Sequence, residues 1–359
     1  MSPLILHVVG ARPNFMKAAP VIRALSTRGA EQFVIHTGQH YDRAMSEVFF
    51  VELGLPEPDV NLGVGSGSHA RQTAALLTGL EDELLARRPA LVVVYGDVNS
   101  TLAAALVAAK LHVPVAHVEA GLRSFDETMP EEINRRVTDG LSSLLFVTSP
   151  EGIAHLAREG AAADAVHLVG NPMIDTLLDN LERFDAARAR AALDLGVRYA
   201  VSTLHRPANV DDPATARALV AALGEVGAML PVVLPLHPRG RESLRRAGIE
   251  QARGVRIVDP LGYVEFLSLV RGASLVLTDS GGIQEETTML DVPCLTIRPN
   301  TERPVTITHG TNQLVAPGEV AKQAAAVLDG STRFPTQRPP LWDGRAGQRI
   351  AAIIHDLYG

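Results

Sequence analysis

Short runs of apolar, β-branched residues alternate along this chain with longer segments whose apolar positions recur at helical spacing. In the first half the short runs are "LILHVVG", "QFVIHTG", "ALVVVYGD", "VPVAHVEAG", "LLFVTS" and "AVHLVG", and segments such as "STLAAALVAAKLH" and "EEINRRVTDGLS" lie between them. The second half restarts the alternation with "YAVSTLHR", "PVVLPLHP", "VRIVDP", "SLVLTDS" and "VPCLTI". Strands that alternate with helices predict a parallel sheet flanked by helices. Nearly every run ends in Gly, Asp, Ser, His or Arg before the chain turns. Ligands of open parallel sheets sit beyond the carboxyl ends of the strands. Polar residues gathered there in both halves therefore predict an α/β protein of two Rossmann-like, doubly wound domains facing each other across a cleft.

Asn171-Pro172 in "VGNPMIDTL" interrupts the pattern, which places a first domain at residues 1–170 and a second at 171–344. The last stretch, "RAGQRIAAIIHDLYG" (345–359), has the spacing of an amphipathic helix that crosses back to the first domain. "GVGSGSH" (63–69) reads as a surface loop, with a mobile lid as the alternative.

Composition narrows the class. A chain of 359 residues is long enough for two cores, and 46% hydrophobic with 20% charged residues describes a globular protein. Aromatics are only 4%, so the cores must come from Leu, Val, Ile and Ala. The net charge of −7 argues against a general nucleic-acid or membrane surface, so any phosphate site must be local. The single cysteine, Cys294, excludes an intramolecular disulfide and reads as core packing in a buried strand. "LILHVV" lacks a basic flank and a cleavage site, and no apolar stretch approaches the roughly 18–20 residues of a membrane span, so a cytoplasmic protein is expected.

The candidate chemistry begins with an anion. "HVVGARPNFMKAAP" (7–20) runs from strand to helix and plants Arg12 and Lys17 beyond the strand end. "LVLTDSGGIQEETTML" is a strand, a Ser280-Gly281-Gly282 turn and a helix, whose orphan N–H groups suit a phosphate oxygen. His205 with Arg206, and His237 with Arg239, each close a strand of the same half. Together these predict a diphosphate site, with Arg12 and Lys17 supplied by the opposite domain.

Two acids of the first half end strands, Asp97 in "VVVYGDVNST" and Glu119 in "VAHVEAGLRS", and a third, Glu131 in "TMPEEINRR", stands at a helix start. Carboxylates gathered at one sheet edge must share protons or face cations. Glu131 also has a plain reading as a first-turn residue suited to the helix dipole, and Asp97 as a cap for a helix beginning at Ser100. Glu119 has no such plain reading, and the set predicts acid–base work. No HExxH, CxxC, P-loop, GxSxG or GxGxxG with an acidic partner is present, so neither a metal nor a nicotinamide is implied.

Taken in order, "GARPNFMK", "TGQH", "YGDVNSTLA", "HVEAGLRS", "MPEEINR", "GNPMIDTL", "LHRPAN", "DSGGIQEE" and "NTERP" resemble the non-hydrolysing UDP-N-acetylglucosamine 2-epimerases over nearly the whole chain. The resemblance implies a glycosyltransferase-B-like fold, a homodimer, and interconversion of UDP-GlcNAc and UDP-ManNAc for cell-surface polysaccharide synthesis, without metal or nicotinamide. It assigns Asp97, Glu119 and Glu131 to acid–base and sugar-site work and makes His205 catalytically important. UDP contacts fall on Arg12, Lys17, Arg206, His237, Phe266, the Ser280-Gly281-Gly282 turn, Glu286 at the ribose hydroxyls, and Arg303. Gln39 and His40 are the candidates for a second, regulatory site, although the residues after "TGQH" differ from those of regulated bacterial members. Leu261 stands where some members have Gln, so a uracil contact there uses the backbone. "HRPANVDD" departs from the "HRRE" of other members but keeps Arg206.

Four rival readings remain from the sequence. They are a glycosyltransferase of the same fold, a hydrolysing 2-epimerase that releases free ManNAc, a 2-epimerase of a related UDP-sugar such as a diacetamido uronic acid, and a non-catalytic UDP-sugar sensor.

Overall fold

The computed structural model describes residues 3–38, 54–236, 238–335 and 337–359, with the side chains of Arg12 and of residues 238–240 left out. Gln39, His40 and His237 lie outside the described residues, as does the Arg12 side chain. The chain divides into two compact units, residues 1–179 with 340–359, and residues 180–339.

The first unit is built on a parallel sheet of β1 (Leu4–Val9), β2 (Glu31–His36), β3 (Val60–Asn61), β4 (Leu91–Tyr95), β5 (Val115–Ala120), β6 (Leu144–Val147) and β7 (Val166–Leu168). Their order across the sheet is β3-β2-β1-β4-β5-β6-β7. Its helices are α1 (Arg12–Ser26), α2 (His69–Arg87), α3 (Asn99–Lys110), α4 (Pro130–Leu141), α5 (Pro150–Arg158) and α6 (Pro172–Asp179). β4, "LVVVY", is wholly buried, as a central parallel strand covered on both faces must be. Leu6, Val8, Val92 and Val94 pack against Leu76, Leu80 and Leu84 of α2 and the alanines of α3.

The second unit carries β8 (Ala200–Thr203), β9 (Val232–Pro235), β10 (Val255–Val258), β11 (Leu275–Thr278), β12 (Cys294–Ile297) and β13 (Asn312–Val315) in the order β10-β9-β8-β11-β12-β13, again all parallel. Between them run α7 (Ala186–Ala192), α8 (Pro207–Val210), α9 (Pro213–Met229), α10 (Pro238–Arg246), α11 (Tyr263–Arg271), α12 (Gly281–Met289), α13 (Val305–Thr308) and α14 (Val320–Leu328). Leu219, Leu223 and Val226 of α9 fill the core against Leu234, Leu275, Leu277 and Leu295. Cys294 is a buried free thiol in β12.

The boundary falls at Asn180, not at Asn171 as the broken pattern suggests. Proline fits the first turn of a helix, where its missing N–H costs nothing. Pro172 therefore opens α6 rather than ending a domain. Met173, Ile174 and Leu177 of α6 are buried, and the Thr176 hydroxyl donates to the Met16 carbonyl of α1 at 2.6 Å. The C-terminal helix α15 (Ala346–Tyr358) packs on α1 as well. Both Asp175 carboxylate oxygens accept from its first amides, Ala346 N at 3.1 Å and Gly347 N at 2.7 Å. No described helix is long and apolar enough to cross a membrane.

Candidate functional site

Each sheet reverses its strand order once, between β1 and β4 in the first unit and between β8 and β11 in the second. A crevice opens at such a reversal because the two neighbouring connections leave on opposite faces. Arg12, Lys17 and Asp97 follow the strands of the first reversal, and His205, Arg206, the Ser280-Gly281-Gly282 turn and Glu286 follow those of the second, whereas Glu119 and Glu131 belong to β5 and the helix after it, Phe266 follows β10 and Arg303 follows β12.

In the first unit, the turn after β1 is drawn tight. The Asn14 carboxamide accepts from Gly10 N and Ala11 N, both at 3.0 Å, and donates to the Tyr95 carbonyl at the end of β4 at 2.7 Å. A Cβ on Gly10 would lie 2.3 Å from Ser100 Oγ, so only glycine lets α3 approach this turn. α1 then carries Lys17 inward, where its ammonium pairs with the Glu119 carboxylate; both side chains are buried. Lys17, expected at a diphosphate, is thus engaged with an acid of its own unit.

Glu119 occupies a left-handed backbone conformation (φ 78°) at a register shift between β5 and β6. A non-glycine residue there is strained, and the bulge redirects its side chain out of the regular alternation. Gly96 (φ 62°) lies against the pair: a Cβ there would stand 3.0 Å from Lys17 Nζ and 3.2 Å from Glu119 Oε2.

Asp97 follows directly. Arg135 of α4 donates to its carboxylate at 2.5 Å, and Asn134 donates to its carbonyl at 2.9 Å. The adjacent helix α3 starts at Asn99 with Val98 in the capping position and no side-chain cap, so Asp97 is not the cap that its position suggests. Glu131 is half-buried in the first turn of α4. Its neighbour Glu132 is buried and accepts from Ser124 N and Oγ, both at 2.8 Å, which fastens the loop after β5 to α4. The structure therefore gives Glu119 and Asp97 each its own cation, Lys17 for Glu119 and Arg135 for Asp97.

In the second unit, Asp279 organises the β8/β11 reversal. Its buried carboxylate accepts from His205 Nδ1 at 2.9 Å, from Arg206 N at 2.9 Å and from Asn209 Nδ2 at 3.1 Å, while Arg206 Nε donates to its carbonyl at 2.9 Å. Burial raises the acid's pKa, but the His205 hydrogen bond and charge, with the Arg206 amide and Asn209, outweigh it and leave the pKa lowered. The His205 ring, 62% exposed, is held through Nδ1 and presents Nε2 outward.

The Ser280-Gly281-Gly282 turn opens α12 as expected, though the Ser280 amide is already taken, donating to Thr278 Oγ1 at 2.9 Å. A Cβ on Gly281 would fall 2.5 Å from an Arg303 guanidinium nitrogen. Arg303 thus lies across the turn, held by Glu302 and, at 2.9 Å, by Glu285. Glu286 is buried one residue further along α12; burial first, then the charge of Glu285, push its pKa up to about 8, with the Tyr263 hydroxyl acting the other way. Phe266 is half-buried on α11, three positions beyond Tyr263 and so on a neighbouring part of that helix's surface.

Sequence reasoning passed over Asn14, Glu132, Asn134, Arg135 and Asp279. Asp279 was visible as the acid before Ser280, and Glu132 as the second Glu of "PEE". The others look like ordinary helix-surface residues until the fold points them inward.

Two parallel sheets of this strand order, with an anion-ready turn in one and cation-paired carboxylates in the other, define a two-unit, Rossmann-like enzyme of the glycosyltransferase-B-like class. A family model for the UDP-N-acetylglucosamine 2-epimerases matches residues 23–355. The chain is 41% identical to the UDP-N-acetylglucosamine 2-epimerase of Methanocaldococcus jannaschii, over 97% of each chain. It is 42% identical to the UDP-2,3-diacetamido-2,3-dideoxy-D-glucuronate 2-epimerase of Pseudomonas aeruginosa, over 98% of this chain and 99% of that one. The solved M. jannaschii enzyme in complex with UDP-GlcNAc and UDP superposes with a TM-score of 0.90 at 40% identity, covering 98% of this chain and 99% of that one. The Neisseria meningitidis enzyme bound to UDP-GlcNAc gives 0.91 at 28% identity, covering 98% and 100%. The chain belongs to the UDP-N-acetylglucosamine 2-epimerase family.

Proposed function

We propose that the protein interconverts UDP-GlcNAc and UDP-ManNAc without releasing free sugar. The observation that carries the reading is the cation-paired carboxylate set, Glu119 with Lys17 and Asp97 with Arg135, at the strand reversal of the first unit.

The hydrogen on C2 of the sugar is not adjacent to a carbonyl, so a carboxylate alone cannot remove it at a useful rate. Cleavage of the C1–O bond to UDP puts positive character on C1 and acidifies that hydrogen. Loss of both gives 2-acetamidoglucal and UDP, and re-addition with the proton delivered to the other face gives the manno epimer. In this reading the second unit holds the leaving diphosphate through the Gly281 and Gly282 amides, Arg303 and the outward face of His205, stabilising charge as it develops. The first unit supplies acid and base from Asp97, Glu119 and Glu131, with Lys17 and Arg135 fixing the first two. Glu286 takes the ribose hydroxyls.

A second reading rests on the Pseudomonas relative, which is as similar as the archaeal one: the same chemistry on a UDP-linked diacetamido uronic acid. Incubation of each UDP-sugar in D2O, followed by NMR, tests both. Deuterium at C2 with UDP-ManNAc formed supports the first reading, and exchange only in the uronic acid supports the second. Free ManNAc identifies a hydrolysing enzyme, and no exchange in either substrate refutes the epimerase reading.

The proposed assembly is a cytoplasmic homodimer. Ile133 and Val137, one turn apart on α4 and 51% and 41% exposed, supply an apolar face suited to such a contact. Sedimentation equilibrium tests it, and a monomer at all concentrations would refute it.

A further inference from the structure

One buried network in the first unit has no part in the chemistry as described so far. His117 sits on β5, two residues before Glu119, and is completely buried. Its Nδ1 lies 2.6 Å from Asp139 Oδ1 of α4, and its Nε2 lies 2.8 Å from the carbonyl of Gly96, the residue before Asp97. A carboxylate and a carbonyl both accept, so a ring that donates to both carries a hydrogen on each nitrogen. The second Asp139 oxygen accepts from Gly121 N at 3.1 Å, two residues after Glu119, and from Arg123 at 2.7 Å. Arg123 is itself held by Glu159 at 2.8 and 2.5 Å.

The three elements that carry the proposed acids are therefore joined at one point. α4 bears Glu131, Arg135 and Asp139; β5 bears His117 and Glu119; the loop after β4 bears Gly96 and Asp97. The joint grips Glu119 from both sides, at residues 117 and 121, and grips Asp97 through the preceding carbonyl. Such a grip is what a strained residue needs, because a left-handed Glu119 relaxes unless its flanks are fixed.

We propose that His117 and Asp139 form a positioning dyad, with a doubly protonated His117 ring that sets the placement of Asp97 and Glu119 relative to each other. The inference rests on the acid–base reading of those two carboxylates. Burial raises the pKa of Asp139, but His117 and then Arg123 outweigh it and hold the pKa low, in keeping with an ionised partner for the ring.

The test has two arms. In wild-type protein labelled with ¹⁵N-histidine, NMR of the His117 ring is expected to show hydrogen on both nitrogens, with and without UDP. A neutral ring with a single N–H overturns the proposal, and this arm needs neither a variant nor a turnover assay. In His117→Gln and Asp139→Asn, kcat per UDP-binding site is expected to fall about a hundredfold, as for reacting groups displaced by about an ångström, with KM and UDP affinity little changed. A variant that melts earlier but keeps its kcat per binding site overturns the positioning role and leaves the network merely structural. If wild-type protein epimerises neither UDP-sugar, the functional reading fails, while the ring measurement still decides the geometry of the dyad.

Discussion

Glu286 offers the sharpest test of the nucleotide assignment, because its buried site raises its pKa to about 8. A neutral carboxyl is a poorer acceptor for two ribose hydroxyls than a carboxylate, so UDP should select the ionised form. At pH 7 about one molecule in ten carries that form, and at pH 9 about nine in ten. The apparent Kd for UDP should therefore tighten about tenfold between the two, about 1.4 kcal/mol, which is the cost of drawing on a minor population. Calorimetry at pH 7 in two buffers of different ionisation enthalpy should also show close to one proton released on binding. Glu286→Gln removes the titration and serves as the reference for every other group that ionises in this range. A wild-type affinity that does not move with pH, or moves in parallel with that of the variant, refutes the ribose contact or the protonation argument behind it.

Asp97→Asn and Glu119→Gln should each lose most of the turnover while UDP still binds; normal kcat in both would remove the acid–base assignment. Lys17→Met leaves the Glu119 carboxylate without its buried cation, and urea denaturation should show a loss of about 3–5 kcal/mol. Much of that loss should be recovered in the double variant with Glu119→Gln, and strictly additive losses would show that the two groups are not coupled. Asp279→Asn frees the His205 ring and should reduce kcat far more than it weakens UDP binding; the opposite split would make His205 a simple binding residue. His7 is buried against Tyr95 and Gln32, and burial lowers its pKa from 6.5 to about 4 despite the Gln32 hydrogen bond. The fold favours the neutral ring, so its contribution is present above pH 6.5 and is lost as pH falls towards 4, up to about 3 kcal/mol. Asp175 titrates with the opposite sign in this range, since burial raises its pKa to about 6. The comparison is therefore wild type against His7→Asn, and identical acid limbs in thermal melts would count against the effect.

The alternation of apolar runs and helical segments carried the architecture because parallel strands buried on both faces leave a strong sequence signal, as "LVVVY" shows. β3 and β13 escaped notice for the converse reason. One is two residues long and the other begins with Asn312-Gln313, and both sit at sheet edges where burial demands little. The boundary was misplaced because a proline reads alike as a break and as a helix start. Asp97, Glu119 and the Ser280-Gly281-Gly282 turn stand out in the sequence because each closes or follows an apolar strand. The supports were not: Asn14, Arg135 and Asp279 act through contacts across 73 to 81 or 38 positions of chain, which local pattern does not encode.

The order of the elements along the chain has one more consequence. Residues 180–339 form a complete compact body inserted within the other, whose last helix is encoded only at 346–358. During synthesis, the inserted body can finish folding while its host still lacks the helix that backs α1. A transcript cut short near its end would thus yield a chain whose 180–339 body is whole and whose other body is open, with the helix that carries Lys17 left uncovered.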